Sequence, residues 1–140
     1  MPMNKTESLV SRLFAEAFNQ GNLAVVDELL SPDHFTHATF GGASPDLGGL
    51  KWLIAMLRTA FPDLHCTVAG QIREGDQFAA HWMMHGTHRG RFMGNPPTDR
   101  RVEVQGMIFG RIENGRIVEE WVLIDQIGIL QQLGLVPPAR

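Results

Sequence analysis

The sequence predicts an α+β fold, a cone-shaped barrel in which a curved antiparallel sheet wraps over three N-terminal helices. Up to Pro62 the apolar side chains recur at helical spacing, whereas from His65 onward they lie in long alternating runs separated by turns. With 140 residues, 44% of them hydrophobic and 19% charged, the chain has the size and composition of one hydrophobic core. We therefore expect a single domain over residues 1–140.

Three helices are predicted before the sheet. Apolar pairs recur every four residues over 9–18, and Gly21 follows where a helix-ending glycine is expected. A second short helix over 22–30 is halted by the Ser31-Pro32 pair. After a short aromatic stretch, helical spacing returns from Leu50 to Phe61 and predicts the third helix.

Four strands and one closing helical turn are predicted after the helices. Asn114-Gly115 between two alternating runs predicts a tight hairpin, because both central residues of a type I′ turn need a positive φ. Ile129 to Leu133 is expected to form a single helical turn. The predicted strands are Cys66 to Arg73, Gln77 to Arg89, Arg101 to Glu113 and Arg116 to Asp125.

Charge and cysteine content narrow the function classes. The net charge of −3 comes from residues spread along the chain, so we expect no nucleic-acid partner. The single Cys66 forms no intramolecular disulfide, and no apolar stretch is long enough for a membrane span, so we expect a cytoplasmic protein without a membrane partner.

Metal and nucleotide cofactors are not expected. His81 and His85 share a strand face, but four residues of strand separate their Cα atoms by about 13 Å, too far to chelate one ion comfortably. No glycine-rich phosphate loop precedes a helix. Any chemistry is therefore predicted to rest on groups of the chain itself.

Asp125 is the candidate catalytic residue. Alternation along the last strand places it on one face with Ile117, Glu119, Trp121 and Leu123, and the opposite face receives Val118, Glu120, Val122 and Ile124. If the Asp125 face points into the cone, its carboxylate is shielded from water and is suited to act as a base. The alternative is that Asp125 ends the strand and caps the helical turn after it.

The chain resembles the SnoaL-like polyketide cyclases, also called ester cyclases, within the nuclear-transport-factor-like superfamily. The matching pieces occur in order along the chain at 18–23, 31–35 with His37, 60–64, 86–90, 92–98, 111–119 and Trp121 with Asp125. This resemblance implies a homodimer that closes a ring in a hydrophobic carbonyl substrate by intramolecular aldol condensation, without a metal or cofactor. It also implies that Asp125 is the acid/base residue.

Other side chains are candidates for binding a small hydrophobic molecule. The chain has no Tyr, so an oxyanion must be met by His, Gln, Arg, Trp or backbone donors. Arg111 is equally compatible with an exposed cross-strand ion pair, and His37 with a surface position. The full set of binding candidates is His37, Gln105, Arg111, Trp121, Trp82, Trp52 and Phe18.

Two other functions remain open for the same fold. One is a noncatalytic module that binds a small ligand. The other is a different enzyme of the superfamily, a dehydratase or an epoxide hydrolase, the latter using carboxylates and an arginine near Asp99, Arg101 and Glu103. An enzyme requires the Asp125 carboxylate to line an enclosed apolar cavity, whereas a module tolerates a carboxylate that points to solvent.

Overall fold

The computed structural model describes residues 5–37 and 40–137. Over these residues it contains four α-helices, one π-helical segment and a five-stranded sheet, and the α+β class is confirmed. The sheet is curved but does not close into a barrel, because β1 and β2 remain as its two edges. Its strands are β1 (Leu30–His37), β2 (His65–Glu74), β3 (Gln77–Thr87), β4 (Arg101–Glu113) and β5 (Arg116–Ile124), in the order β1-β5-β4-β3-β2.

The helices lie where the apolar spacing predicts them. The first, α1 (Lys5–Arg12), continues as a π-helical segment (Leu13–Phe18) and is followed by α2 (Ala24–Leu29). The third, α3 (Leu47–Ala60), begins at Asp46, whose side chain accepts a hydrogen bond from Gly49 N. The closing helix α4 (Gln126–Gln132) is longer at its start than the predicted turn. None of the helices in the described part of the chain is both long and apolar enough to cross a bilayer.

The sheet is not wholly antiparallel. The residues around Phe35 were predicted as a short aromatic stretch, but they belong to β1, which runs parallel to β5. Pro32 is accommodated because β1 is an edge strand, where a missing N–H costs no ladder hydrogen bond. Strand β1 begins at Leu30, directly after α2 ends at Leu29, with no intervening loop.

The core lies between the helices and the inner face of the sheet. β4 shows the alternation most clearly, with even-numbered residues from Val102 to Ile112 buried and odd-numbered residues outside. Asn19 joins the π-helical segment to β2, because its side-chain amide both donates to and accepts from the backbone of Cys66. Arg58 donates to the carbonyls of Phe18 and Asn19 and so ends that segment.

Candidate functional site

An apolar cavity of about 90 Å³ lies between the helices and the inner face of the sheet. The π-helical segment supplies Phe14 and Phe18 to its wall, and α3 supplies leucines. The π geometry inserts an extra residue into the helical turn, which is a common device near functional sites. The sheet contributes Trp82, Ile108, Val122 and Ile124, together with a few polar side chains.

Glu120 is the charged side chain on this wall among the described residues. It is 4% exposed, and its Oε1 lies 2.8 Å from Nε2 of His34, which is 3% exposed. With the carboxylate ionised, the imidazole N–H donates this hydrogen bond. Nδ1 of the same His34 ring is buried without a hydrogen-bond partner among the described residues.

A bulge in β5 brings Glu120 to the inner face. Ile112 of β4 pairs with Ile117, but the next pair joins Arg111 to Glu119, so Val118 has no partner opposite it. One extra residue reverses the alternation, and Ile117 and Glu120 are therefore both buried. On β1, His34 and Thr36 point to the same side because alternate residues of a strand share a face.

The predicted inward face of β5 is therefore wrong beyond the bulge. Trp121 is 40% exposed and Leu123 is 68% exposed on the outer face. Asp125 is exposed, lies outside the cavity, and accepts a hydrogen bond from Gly128 N at 2.9 Å through Oδ1. Asp125 therefore caps α4, which is the alternative that the sequence left open. It does not line the apolar cavity as expected, and its catalytic role stays a prediction.

Two further binding candidates, His37 and Arg111, lie on the outer face with Trp121. His37 stacks on Trp121 with ring centroids 4.6 Å apart and contacts Glu119 Oε2 at 2.8 Å. Arg111 donates to Glu119 and Glu113, which is the cross-strand ion pairing that was its alternative. These hydrogen bonds, with that from His37 the largest cause, hold the pKa of Glu119 below its usual value.

The remaining candidates divide between cavity and surface. Gln105 contacts His81 Nε2 through Oε1 at 2.7 Å on the outer face, beside an open depression that also includes Asp125. Trp52 of α3 is half exposed. Phe18 and Trp82 are on the cavity wall, as expected for binding residues. Sequence reasoning thus identified two of the wall residues and missed the His34 and Glu120 pair.

Other predicted sites can be placed as well. Arg101 lies 3.6 Å from Glu103, but this pair is exposed and Asp99 pairs with Arg89 instead, so no carboxylate pair with a bridging arginine faces a cavity there. Within the described residues, no three His, Cys, Asp or Glu side chains are arranged to hold a metal ion. Cys66 lines the cavity, and burial raises the pKa of its thiol to about 12.

Comparisons with known proteins agree with this architecture. The family model of the SnoaL-like polyketide cyclases matches residues 8–133. Nogalonic acid methyl ester cyclase from Streptomyces nogalater is 33% identical over 120 residues, which cover 84% of this chain and 90% of that protein. Among solved structures, IdmH from Streptomyces antibioticus, a proposed polyketide cyclase, is 34% identical with a TM-score of 0.81 and covers 94% of this chain and 99% of its own. TsrD from Streptomyces laurentii superimposes with a TM-score of 0.86 at 24% identity over 97% of this chain and 99% of its own, a likeness of fold.

Proposed function

Because this chain belongs to the SnoaL-like polyketide cyclase family, we propose that it closes a ring in a hydrophobic carbonyl substrate by intramolecular aldol condensation, with Glu120 as the base. The observation that carries the proposal is the buried pair of Glu120 and His34 on the wall of an otherwise apolar cavity. Burying a carboxylate in an apolar wall costs stability even when a histidine pairs with it, and folds retain such groups mainly where they have a function.

The proposed reaction balances without a cofactor. Glu120 takes a proton from the carbon beside a carbonyl, and the electrons of that C–H bond form an enolate. The enolate carbon attacks a second carbonyl carbon of the same molecule, a C–C bond forms, and the resulting alkoxide takes the proton back from Glu120. Substrate and cyclised product are isomers at this stage. His34 holds the carboxylate in place through its Nε2 hydrogen bond.

The cavity favours hydrophobic substrates, because its wall is apolar apart from a few polar side chains such as Glu120. Holding both reacting carbons of one molecule in a single pocket then favours ring closure over reaction between molecules.

The test replaces Glu120 and compares it with its neighbour. With nogalonic acid methyl ester as the first substrate, Glu120→Gln is expected to lower kcat by about 10² to 10⁴, because the amide keeps the contact with His34 but accepts no proton. The matched control, Glu119→Gln, alters a carboxylate on the outer face and is expected to keep the wild-type rate. Chromatography of the cyclised product measures both rates.

Three outcomes would count against the proposal. Unchanged turnover in Glu120→Gln would exclude this residue as the base. Loss of turnover in Asp125→Asn with turnover retained in Glu120→Gln would return the acid/base role to Asp125. Tight binding without product in any variant would identify a noncatalytic ligand-binding module.

A homodimer in the cytoplasm is part of the same proposal. The outer face of the sheet exposes large apolar side chains on neighbouring strands, and a contiguous apolar patch of this kind is typical of an interaction surface. A second copy of the chain would cover them. Light scattering at micromolar concentration is expected to give the dimer mass, and Leu123→Glu is expected to give the monomer; a monomeric wild type would refute this. The exposed residues are Met83, Met107, Phe109, Trp121 and Leu123.

A further inference from the structure

Trp82 lines the cavity and carries a polar atom, the indole nitrogen, that the proposed acid/base step does not use. Trp82 is 6% exposed, its Nε1 is buried, and no described residue accepts a hydrogen bond from it. A buried indole N–H normally has an acceptor, because losing its hydrogen bond to water is costly. The wall therefore carries a donor that suits an acceptor on a bound molecule.

Gly106 and Phe14 fix the position of this donor. Gly106 of β4 pairs with Trp82 of β3, and the indole lies over this glycine, because a Cβ there would be 2.5 Å from Cε2, the carbon bonded to Nε1. On its other side, Gly106 pairs with Ile124 of β5, which is also on the cavity wall. The ring of Phe14 packs against the indole with centroids 5.6 Å apart. The N–H is thus held at the Gly106 and Ile124 part of the wall.

Glu120 lies at a different part of the same wall. It pairs with Gly110, whereas the indole lies over Gly106, and four residues of strand correspond to about 13 Å. The backbone positions that carry the two side chains are therefore well separated along the sheet, and an acceptor bonded to Trp82 is expected on a different part of a bound molecule from the carbon that Glu120 would deprotonate.

We infer that Trp82 is a specificity-determining residue that donates a hydrogen bond to a carbonyl oxygen at the end of the ligand away from Glu120. The ligand class is a hydrophobic molecule with at least one carbonyl besides the reacting pair. This inference rests on the proposed use of the cavity as the binding site, but it does not require Glu120 to be the base. It predicts that loss of the donor weakens recognition of the ketone oxygen and leaves the proton transfer itself intact.

The test uses two small probes of the same shape. Cyclopentanone carries an acceptor oxygen, and methylenecyclopentane replaces that oxygen with a CH₂ group. In ¹H–¹⁵N spectra of the wild type, the three tryptophans give three indole signals, and the one that persists in both Trp52→Phe and Trp121→Phe belongs to Trp82. Cyclopentanone is expected to move this signal downfield, and methylenecyclopentane is expected to leave its proton shift unchanged. Equal shifts with both probes, or no response to either, would overturn the inference.

A variant measures the size of the effect. In Trp82→Phe, the preference for cyclopentanone over methylenecyclopentane is expected to fall about tenfold, because the ketone oxygen then loses its water without gaining a donor. Trp52→Phe changes a half-exposed tryptophan outside the cavity and is expected to keep the wild-type preference. An unchanged preference in folded Trp82→Phe would refute the inference. If that variant unfolds, the wild-type spectra with the two probes decide.

The same signals separate this inference from the proposed reaction. In Glu120→Gln, the Trp82 signal is expected to respond to cyclopentanone as in the wild type, since Trp82 pairs with Gly106 whereas Glu120 pairs with Gly110, four residues further along β4. Turnover retained in Glu120→Gln with a normal Trp82 response would contradict the proposed base and leave the donor in place. Turnover lost together with absence of any Trp82 response would contradict the donor alone.

Discussion

Gly106→Ala tests whether the packing of Trp82 against the sheet fixes the cavity wall. An alanine Cβ would lie 2.5 Å from Cε2 of Trp82 and 2.8 Å from the carbonyl oxygen of Leu123. Cζ2 of Trp82 would lie closer still, and ordinary contact begins at 3.4 Å, so the indole would have to retreat by more than about 0.9 Å against Phe14. The Leu123 carbonyl belongs to the backbone of β5, which is paired with β4, so it cannot move away as a flexible side chain could. Overpacking of this kind costs about 2 kcal/mol of unfolding free energy.

Urea unfolding followed by circular dichroism measures this loss. The matched control is Gly70→Ala, because Gly70 is also in a strand but has open space where its Cβ would lie. That variant is expected to be neutral or slightly more stable. In a Trp82→Phe background, Gly106→Ala is expected to cost at least about 1 kcal/mol less, since part of the collision is gone. A cost for Gly106→Ala within about 0.5 kcal/mol of zero would refute the packing argument.

Three other changes have defined outcomes. Asp125→Ala is expected to lose about 1 kcal/mol of stability in urea unfolding, whereas Asp125→Asn keeps the helix cap and the stability. Because His37 and Arg111 hold the pKa of Glu119 below its usual 4.5, its stabilising contribution is present above about pH 4.5 and is lost as the pH falls; unfolding midpoints from pH 6 to pH 3 should fall less steeply in Glu119→Gln. Because burial raises the pKa of Cys66 to about 12, a thiol reagent at pH 8 should label it only as fast as the protein opens; fast labelling of the folded protein would contradict this.

The secondary structure was predictable because local signals agree with the tertiary packing. Asn114 and Gly115 both adopt a positive φ, 53° and 76°, as the hairpin between β4 and β5 requires. Gly21 has a φ of 76° at the end of the first helical segment, where a left-handed residue was expected. On β4 the two faces differ clearly in polarity, and its bounds are those predicted.

The parallel strand β1 was not predictable in the same way. The Ser31-Pro32 pair follows a helix and resembles a loop, and nothing local shows that an edge strand begins at Leu30. Its partner, β5, is more than 80 residues away in the sequence, as the contact between His37 and Glu119 illustrates. Pairing over that distance depends on the whole sheet, so the position of His34 inside the core was hidden as well.

The site was mispredicted because β5 is apolar on both faces. Val122 and Ile124 line the cavity, while Trp121 and Leu123 form part of the exposed apolar outer face. When both faces carry large apolar side chains, alternation shows which residues share a face but not which of the two faces points into the core. A surface covered by a second subunit would produce this pattern, so the same feature that supports a homodimer conceals which face lines the cavity.

The bulge at Val118 then decides which acidic residue enters the core. Glu119 and Glu120 are adjacent and chemically alike, yet one is tied to His37 and Arg111 on the outside and the other to His34 beside the cavity. Without the extra residue, the regular alternation from the buried Ile117 would have placed Glu119 inside and Glu120 outside. A bulge of one residue therefore changes which side chain of this strand is assigned to the cavity. The rates of Glu119→Gln and Glu120→Gln, measured side by side, compare the two faces directly.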